Sequence, residues 1–308
     1  MKVVIAGGTG ALGRRLADDL ADGGHDIVIL TRSRQPGRHR HVRWDGRTVQ
    51  AWASELDGAA IVNLAGEPVD RRPTSEGIAL LTSSRVEPTR ALAEAAAGLN
   101  SPVPVWIQAS TLAIHGDSGE QLLDEQSPAA DGPPQMAGVA RAWEDAAVGV
   151  NAARTVVLRT GIVLDRDTPA LDRLVSLTRW GLGGRMGGGR QWVSWAHISD
   201  WVAIVGWALA DPVHGVVIAS SPNPVRNAEL MASLRRATRR PAAPPTPTFA
   251  VRLGAVLLRT DPALALTGRR ARPARLLDAG FDFRYPQLDE ALAELLHQAD
   301  RGRPRHSQ

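Results

Sequence analysis

Cysteine is absent from the 308 residues, which excludes disulfides, thiolate nucleophiles and thiolate metal sites and leaves the redox compartment open. Lysine is nearly absent as well. Lys2 is the single one, and arginine carries the rest of the positive charge. Tyrosine occurs once, as Tyr285, and the two lie at opposite ends of the chain, so a phenol activated by a neighbouring lysine in sequence is excluded. Long hydrophobic runs are missing: no stretch approaches the ~20 apolar residues that span a bilayer, so no membrane role is expected. The opening "MKVVIAGG" has one charge and a four-residue apolar run before glycine, the mark of a strand and not of a signal peptide, and cytoplasmic residence is expected. A formal charge of +4 with 22% charged residues is ordinary for a globular chain. The densest basic run, "RSRQPGRHRHVR" at 32–43, lacks interleaved aromatics, so nucleic-acid binding is not expected. No pair of histidines with a carboxylate at ligand spacing predicts a metal site.

What is present is alternation. Apolar segments at 2–8, 25–32, 59–66, 104–110 and 154–164 read as buried strands, and stretches at 12–24, 84–99 and 136–150 read as helices. Near-continuous apolar strands separated by helices predict an α/β fold, a Rossmann-like, doubly wound parallel sheet. After about residue 165 the pattern changes. A glycine-broken helix at 169–184, a late strand at 214–222, the proline-rich "RPAAPPTPT" at 240–248 and two amphipathic helices predict a smaller C-terminal α/β lobe. The expected division is 1–165 and 166–308, with sheet elements of the first part reaching to about 225. The tail "DRGRPRHSQ" is expected to fray.

"VVIAGGTGALGRRL" sets Gly7, Gly10 and Gly13 at three-residue spacing between the first strand and the first helix. Gly7 permits the tight turn, Gly10 lets backbone approach a pyrophosphate, and Gly13 allows close helix–strand packing. Thr9, Ala11 and Leu12 complete the loop, and the helix N-terminus offers free N–H groups and a positive dipole end. The end of the second strand bears on the cofactor variety. NAD sites carry an Asp or Glu there for the ribose hydroxyls; this chain has Thr31-Arg32-Ser33 instead. A guanidinium can grip a 2′-phosphate, which points to NADP(H); the alternative is that Arg32 is one more surface arginine. Arg34 and Arg38 are nearby but less specific. The small-residue turn of Asn63, Leu64, Ala65 and Gly66 suits backbone passing over the adenine ribose.

Together the glycine loop, "NLAGEPV" (63–69), "SRVEPTRALAEA" (84–95), "GLGGRMGGGRQWVSWAHISD" (181–200), "SSPNPVRNAEL" (220–230) and "LLDAGFDFRYPQLDEAL" (276–292) resemble the short-chain dehydrogenase/reductase superfamily, in its extended or atypical branch. The resemblance is nearest to the epimerase family group with a C-terminal extension. It implies a Rossmann domain, a smaller lobe closing over a cleft, and a cofactor lined by Thr31, Arg32, Leu64, Ala65, Arg85 and Ile162.

The same resemblance exposes a gap. Active superfamily members carry Tyr and, four residues on, Lys; here those places hold Met136 and Ala140. Thr111, in "ASTLAIHGD", matches the carbonyl-holding position and alternatively only terminates its strand. His115 titrates near neutral pH and is the candidate to take over proton transfer; its alternative is a packing role. Glu144 and Asp145 read as surface charges. For a small-molecule substrate, Arg190 offers an anion clamp and Trp192 and Trp195 flat walls, the alternative being that the tryptophans are core; His197 and Asp200 read as structural. Three functions stay open: an NADP(H)-dependent oxidoreductase acting on a small carbonyl or hydroxyl compound, a non-redox catalyst on the same scaffold, and a dinucleotide-binding regulatory protein without turnover. An oligomer is compatible with each.

Overall fold

Strand β1 (Lys2–Ala6) leads through the glycine turn into α1 (Ala11–Asp22), whose Leu16, Ala17 and Leu20 recur at helical spacing and are buried. The computed structural model describes residues 1–33, 37–166 and 168–301; Arg34 and the tail from 302 lie outside them. Six further strands follow: β2 (Asp26–Thr31), β3 (Arg40–Arg43), β4 (Ala60–Asn63), β5 (Trp106–Thr111), β6 (Thr155–Thr160) and β7 (Gly215–Ala219). They form one sheet in the order β7-β6-β5-β4-β1-β2-β3, with every neighbouring pair parallel. Strand order reverses between β1 and β4, and the crevice outside the carboxyl ends there is where ligands bind in such sheets.

Two segments differ from expectation. The strand expected over 154–164 breaks at Gly161, where a Cβ would stand 2.7 Å from the carbonyl oxygen of Ser194. The helix expected from 84 starts at Ser75, with the Thr74 hydroxyl accepting the Gly77 N–H at 3.1 Å, and runs as α2 (Ser75–Ala97). Short α3 (Val139–Asp145) precedes β6. Below the sheet, Val4, Val28, Ile61 and Trp106 pack with Leu92, Trp44 and Trp52; the last two rings meet edge-to-face at 5.4 Å.

The chain divides into two compact units that interleave in sequence. The first comprises 1–116, 125–160 and 202–219 and contains the whole seven-stranded sheet; the second comprises 117–124, 161–201 and 220–308. Residues 202–219 of the first unit lie within the reach to about 225 expected for its sheet elements. The excursion at 161–201 leaves the sheet after β6, and the chain must return to supply β7 beside it. Within the second unit, strand Ile162–Leu164 pairs in parallel with Trp195–His197, and Trp192–Val193 pairs with Val225–Arg226. Among the described residues no helix is long and apolar enough to cross a membrane.

Candidate functional site

At the end of β1, Gly7 takes φ +81°, a conformation L side chains rarely adopt, and a Cβ on it would stand 2.7 Å from the Leu64 carbonyl oxygen. Gly13 is the tighter position: its Cβ would meet the Gly7 oxygen at 2.4 Å. The Gly10 N–H closes the turn onto the Gly7 carbonyl at 3.0 Å, and no side chain caps the first turn of α1. The Thr9 carbonyl accepts from the Arg14 guanidinium at 2.6 Å; the first helical bond is from the Arg14 N–H to the Gly10 carbonyl, so the amides of Ala11, Leu12 and Gly13 open the helix without intrahelical partners. This backbone cradle has no room for side chains and presents donors, the two properties a pyrophosphate needs.

Beside it, Asn63 is buried and acts as a strut. Its amide donates to Thr89 Oγ1 at 2.8 Å and Gln108 Oε1 at 3.0 Å, and its carbonyl accepts the Ala65 N–H, shaping the Leu64–Gly66 turn. Arg85 runs under that turn, so close that a Cβ on Gly66 would stand 3.1 Å from its side chain. The guanidinium is buried, donates to the carbonyls of Leu81 and Glu67, and lies 5.0 Å from the Trp143 ring; burial lowers its pKa to about 10, with Glu67 opposing. Thr31 is buried and its hydroxyl brackets Ser33, whereas the Arg32 guanidinium projects into solvent, 3.6 Å from Glu67. Ile162 belongs to the second unit.

At the end of β5, Thr111 Oγ1 accepts the Ala113 N–H at 3.2 Å, which leaves its own proton to donate. His115 is buried, with Nδ1 2.9 Å from the Pro128 carbonyl, so that nitrogen carries the proton, and Nε2 lies 3.5 Å from the Arg159 guanidinium. Both ring nitrogens are engaged, which suits a holding part better than proton transfer. Met136 and Ala140 are both buried, and neither side chain carries a group that transfers a proton, so the Tyr and Lys places are not refilled. Lys2 pairs with Glu55 at 2.9 Å, far along the chain from either place.

The surface role expected of Glu144 is corrected: it takes both prongs of Arg159 and the Ser110 hydroxyl. The signal for this was an arginine in the middle of an apolar strand, "VVLRT". The basic run at 32–43 is likewise largely neutralised, since Arg38 pairs with Asp22, His39 with Asp18 and Arg40 with Glu55.

In the second unit, Trp195 is fully buried with its indole N–H on the Asn223 carbonyl, so of its two expected places it takes the core and not the wall. Trp192 lies under the guanidinium groups of Arg226 (4.0 Å) and Arg270 (4.6 Å) and donates to Glu120. Arg190 is exposed. His197 accepts the Ser199 N–H on Nδ1 and donates from Nε2 to Glu294, with Tyr285 stacked 4.0 Å away; Asp200 accepts the N–H groups of Arg284 and Tyr285.

Residues 3–137 match the NAD dependent epimerase/dehydratase family, and 246–295 match a domain of unknown function, DUF1731. Epimerase family protein SDR39U1 of Homo sapiens is 34% identical, the match covering 96% of this chain and all of that one. The chain belongs to the NAD dependent epimerase/dehydratase family. Another family relative, the chloroplastic SDR39U1 homolog of Arabidopsis thaliana, is 32% identical over 96% of this chain and 87% of that protein. The crystal structure of the human epimerase family protein with NADPH superimposes with a TM-score of 0.85 at 33% identity, covering 96% and 99% of the two chains. Family membership thus extends across the sheet and the C-terminal segment alike.

Proposed function

We propose that the chain binds NADP(H) at the glycine turn and acts as an oxidoreductase on a small carbonyl or hydroxyl compound without the Tyr–Lys pair. The observation that carries the binding reading is the cradle at Gly7–Gly13, where added Cβ atoms would strike backbone at 2.7 and 2.4 Å. The NADPH bound by the human relative supports the same assignment. Cytoplasmic residence goes with this reading as part of the proposal.

Bound NADPH would supply hydride from its nicotinamide ring, the step the cofactor itself carries. The chain's residues do the rest. The amides of Ala11, Leu12 and Gly13 meet the pyrophosphate, Arg32 meets the 2′-phosphate, and the Leu64–Gly66 backbone, braced by Asn63, passes over the adenine ribose. Arg85, a buried cation held by carbonyls, is the proposed partner of the ribose hydroxyls. Thr111 donates its free proton to the substrate oxygen, the hydrogen bond that grows as negative charge develops there. His115 keeps the loop after Thr111 in register through Pro128 and Arg159. Proton supply on this reading falls to Thr111, His115 or water. Arg190 is the proposed anion contact for the substrate.

The test is NADPH oxidation against a panel of aldehydes and ketones. Turnover that Thr111→Val abolishes while NADPH affinity persists supports the reading; turnover untouched by that change overturns the assignment of Thr111. Tight binding without turnover on any substrate would favour the regulatory alternative, which the missing Tyr–Lys pair supports.

A further inference from the structure

At the carboxyl ends of β2 and β3 lies an open hollow of about 530 Å³ lined by Arg32, Arg43, Trp44, Asp45 and Gln50. Thr31 and Arg43 are directly opposite one another in the parallel register, and the Trp44 N–H continues the ladder onto the Thr31 carbonyl at 3.0 Å. Arg43, in the last rung of β3, and Arg32, one residue past Thr31 on β2, therefore line the same hollow from adjacent strands. Arg43 is exposed and has no ion-pair partner among the described residues, whereas Arg38, Arg40 and Arg47 around it are committed to Asp22, Glu55 and Glu87. Arg32 is itself shared with Glu67 at 3.6 Å.

A ribose 2′-phosphate carries close to two negative charges at neutral pH, more than one partly neutralised guanidinium balances. The carboxylate in the hollow does not compete as a ribose ligand. Asp45 is held ionised, at about 2, by the Thr48 hydroxyl and the N–H groups of Thr48 and Arg47, and those three donors occupy its two oxygens. Two of them fill Oδ1 and the third takes one site on Oδ2, so a two-pronged contact with a ribose diol would displace at least one of them, although its charge still faces the hollow. Trp44 is buried and offers an edge, and the Gln50 amide is tied to Thr48.

We infer that Arg43 is a second 2′-phosphate ligand, pairing with Arg32 to select the phosphorylated dinucleotide, with Asp45 acting against the phosphate and not for the ribose. The inference rests on the NADP(H) reading above and adds to it a residue that the glycine-loop pattern does not reach. The second guanidinium supplies a charge-assisted contact from the adjacent strand, so its loss falls on the phosphorylated ligand alone.

Dissociation constants for NADPH, NADH and adenosine 2′-monophosphate, measured by fluorescence or calorimetry on the whole chain, test it. Arg43→Ala and Arg43→Gln should each weaken NADPH and adenosine 2′-monophosphate by about tenfold, a difference of ~1.4 kcal/mol, and leave NADH within about twofold. Asp45→Asn should tighten NADPH and leave NADH unchanged. Thermal unfolding of the two Arg43 variants should match the parent, since Arg43 is exposed. If the parent binds NADPH but Arg43→Ala leaves its preference over NADH intact, the inference falls and the cofactor reading stands. If Asp45→Asn weakens NADH, Asp45 is a ribose ligand and the inference falls. If the parent binds no dinucleotide, the underlying reading falls with it.

Discussion

Arg159 lays its guanidinium edge-on against the carboxylate of Glu144, Nε to Oε1 at 3.0 Å and Nη2 to Oε2 at 2.9 Å. Both side chains are only 10% and 15% exposed, and Ser110 adds its hydroxyl to the same Oε1 at 2.5 Å. One carboxylate thus ties β6, α3 and the end of β5 together behind Thr111. Removing one partner leaves a largely desolvated charge, a loss of about 3 kcal/mol. Glu144→Gln should therefore lower the urea midpoint strongly, and Arg159→Met with Glu144→Leu should recover much of the loss. A midpoint unchanged by Glu144→Gln would refute a stabilising role for the pair.

The glycine turn makes a graded prediction. Gly13→Ala places a methyl 2.4 Å from a backbone oxygen, so it should abolish dinucleotide binding and cost stability together. Gly206→Ala, inside helix Ile198–Ala210 with nothing near its Cβ, should leave binding alone and stabilise by up to about 1 kcal/mol. Calorimetric titration and thermal unfolding of the two variants separate a steric cradle from a generic glycine effect.

Arg32 stands at the end of β2 where an NAD site would carry an acid. Arg32→Ala should raise the dissociation constant for NADPH by about tenfold or more, while that for NADH changes little. Equal losses for both would move Arg32 to general backbone binding.

His197 gives the second unit a pH dependence. Burial holds its pKa below the ordinary value, with the Glu294 bond opposing. The unfolded chain therefore takes up a proton first as pH falls through about 6.5, and stability drops toward acid by up to about 1.4 kcal/mol per pH unit. Asp200 runs the other way, because burial raises its pKa: its contribution improves as pH falls through the raised value toward 3.8. Thermal midpoints between pH 8 and pH 5 should fall in the parent and flatten in His197→Gln. Parallel curves would show that His197 does not titrate on unfolding.

The alternation of apolar strands with helices, the glycine spacing and the arginine after β2 were legible along the chain, because each is written in neighbouring residues whose backbone preferences are local. So was the loss of the Tyr–Lys pair, since one lysine and one tyrosine cannot be brought to the required spacing by any fold of a continuous helix. The partners of Glu144 and the buried engagement of His115 were not legible, because they join residues 15 and 44 positions apart through β6. Trp195 read as wall or core because an indole's periodicity says it is apolar, not which side it faces; its burial follows from Asn223, brought to it by the packing of the second unit. Arg43 needed the parallel register of β2 and β3, which sets it opposite Thr31. Backbone geometry belongs to short range and composition; charge pairing and solvent exclusion belong to residues that only the folded chain makes neighbours.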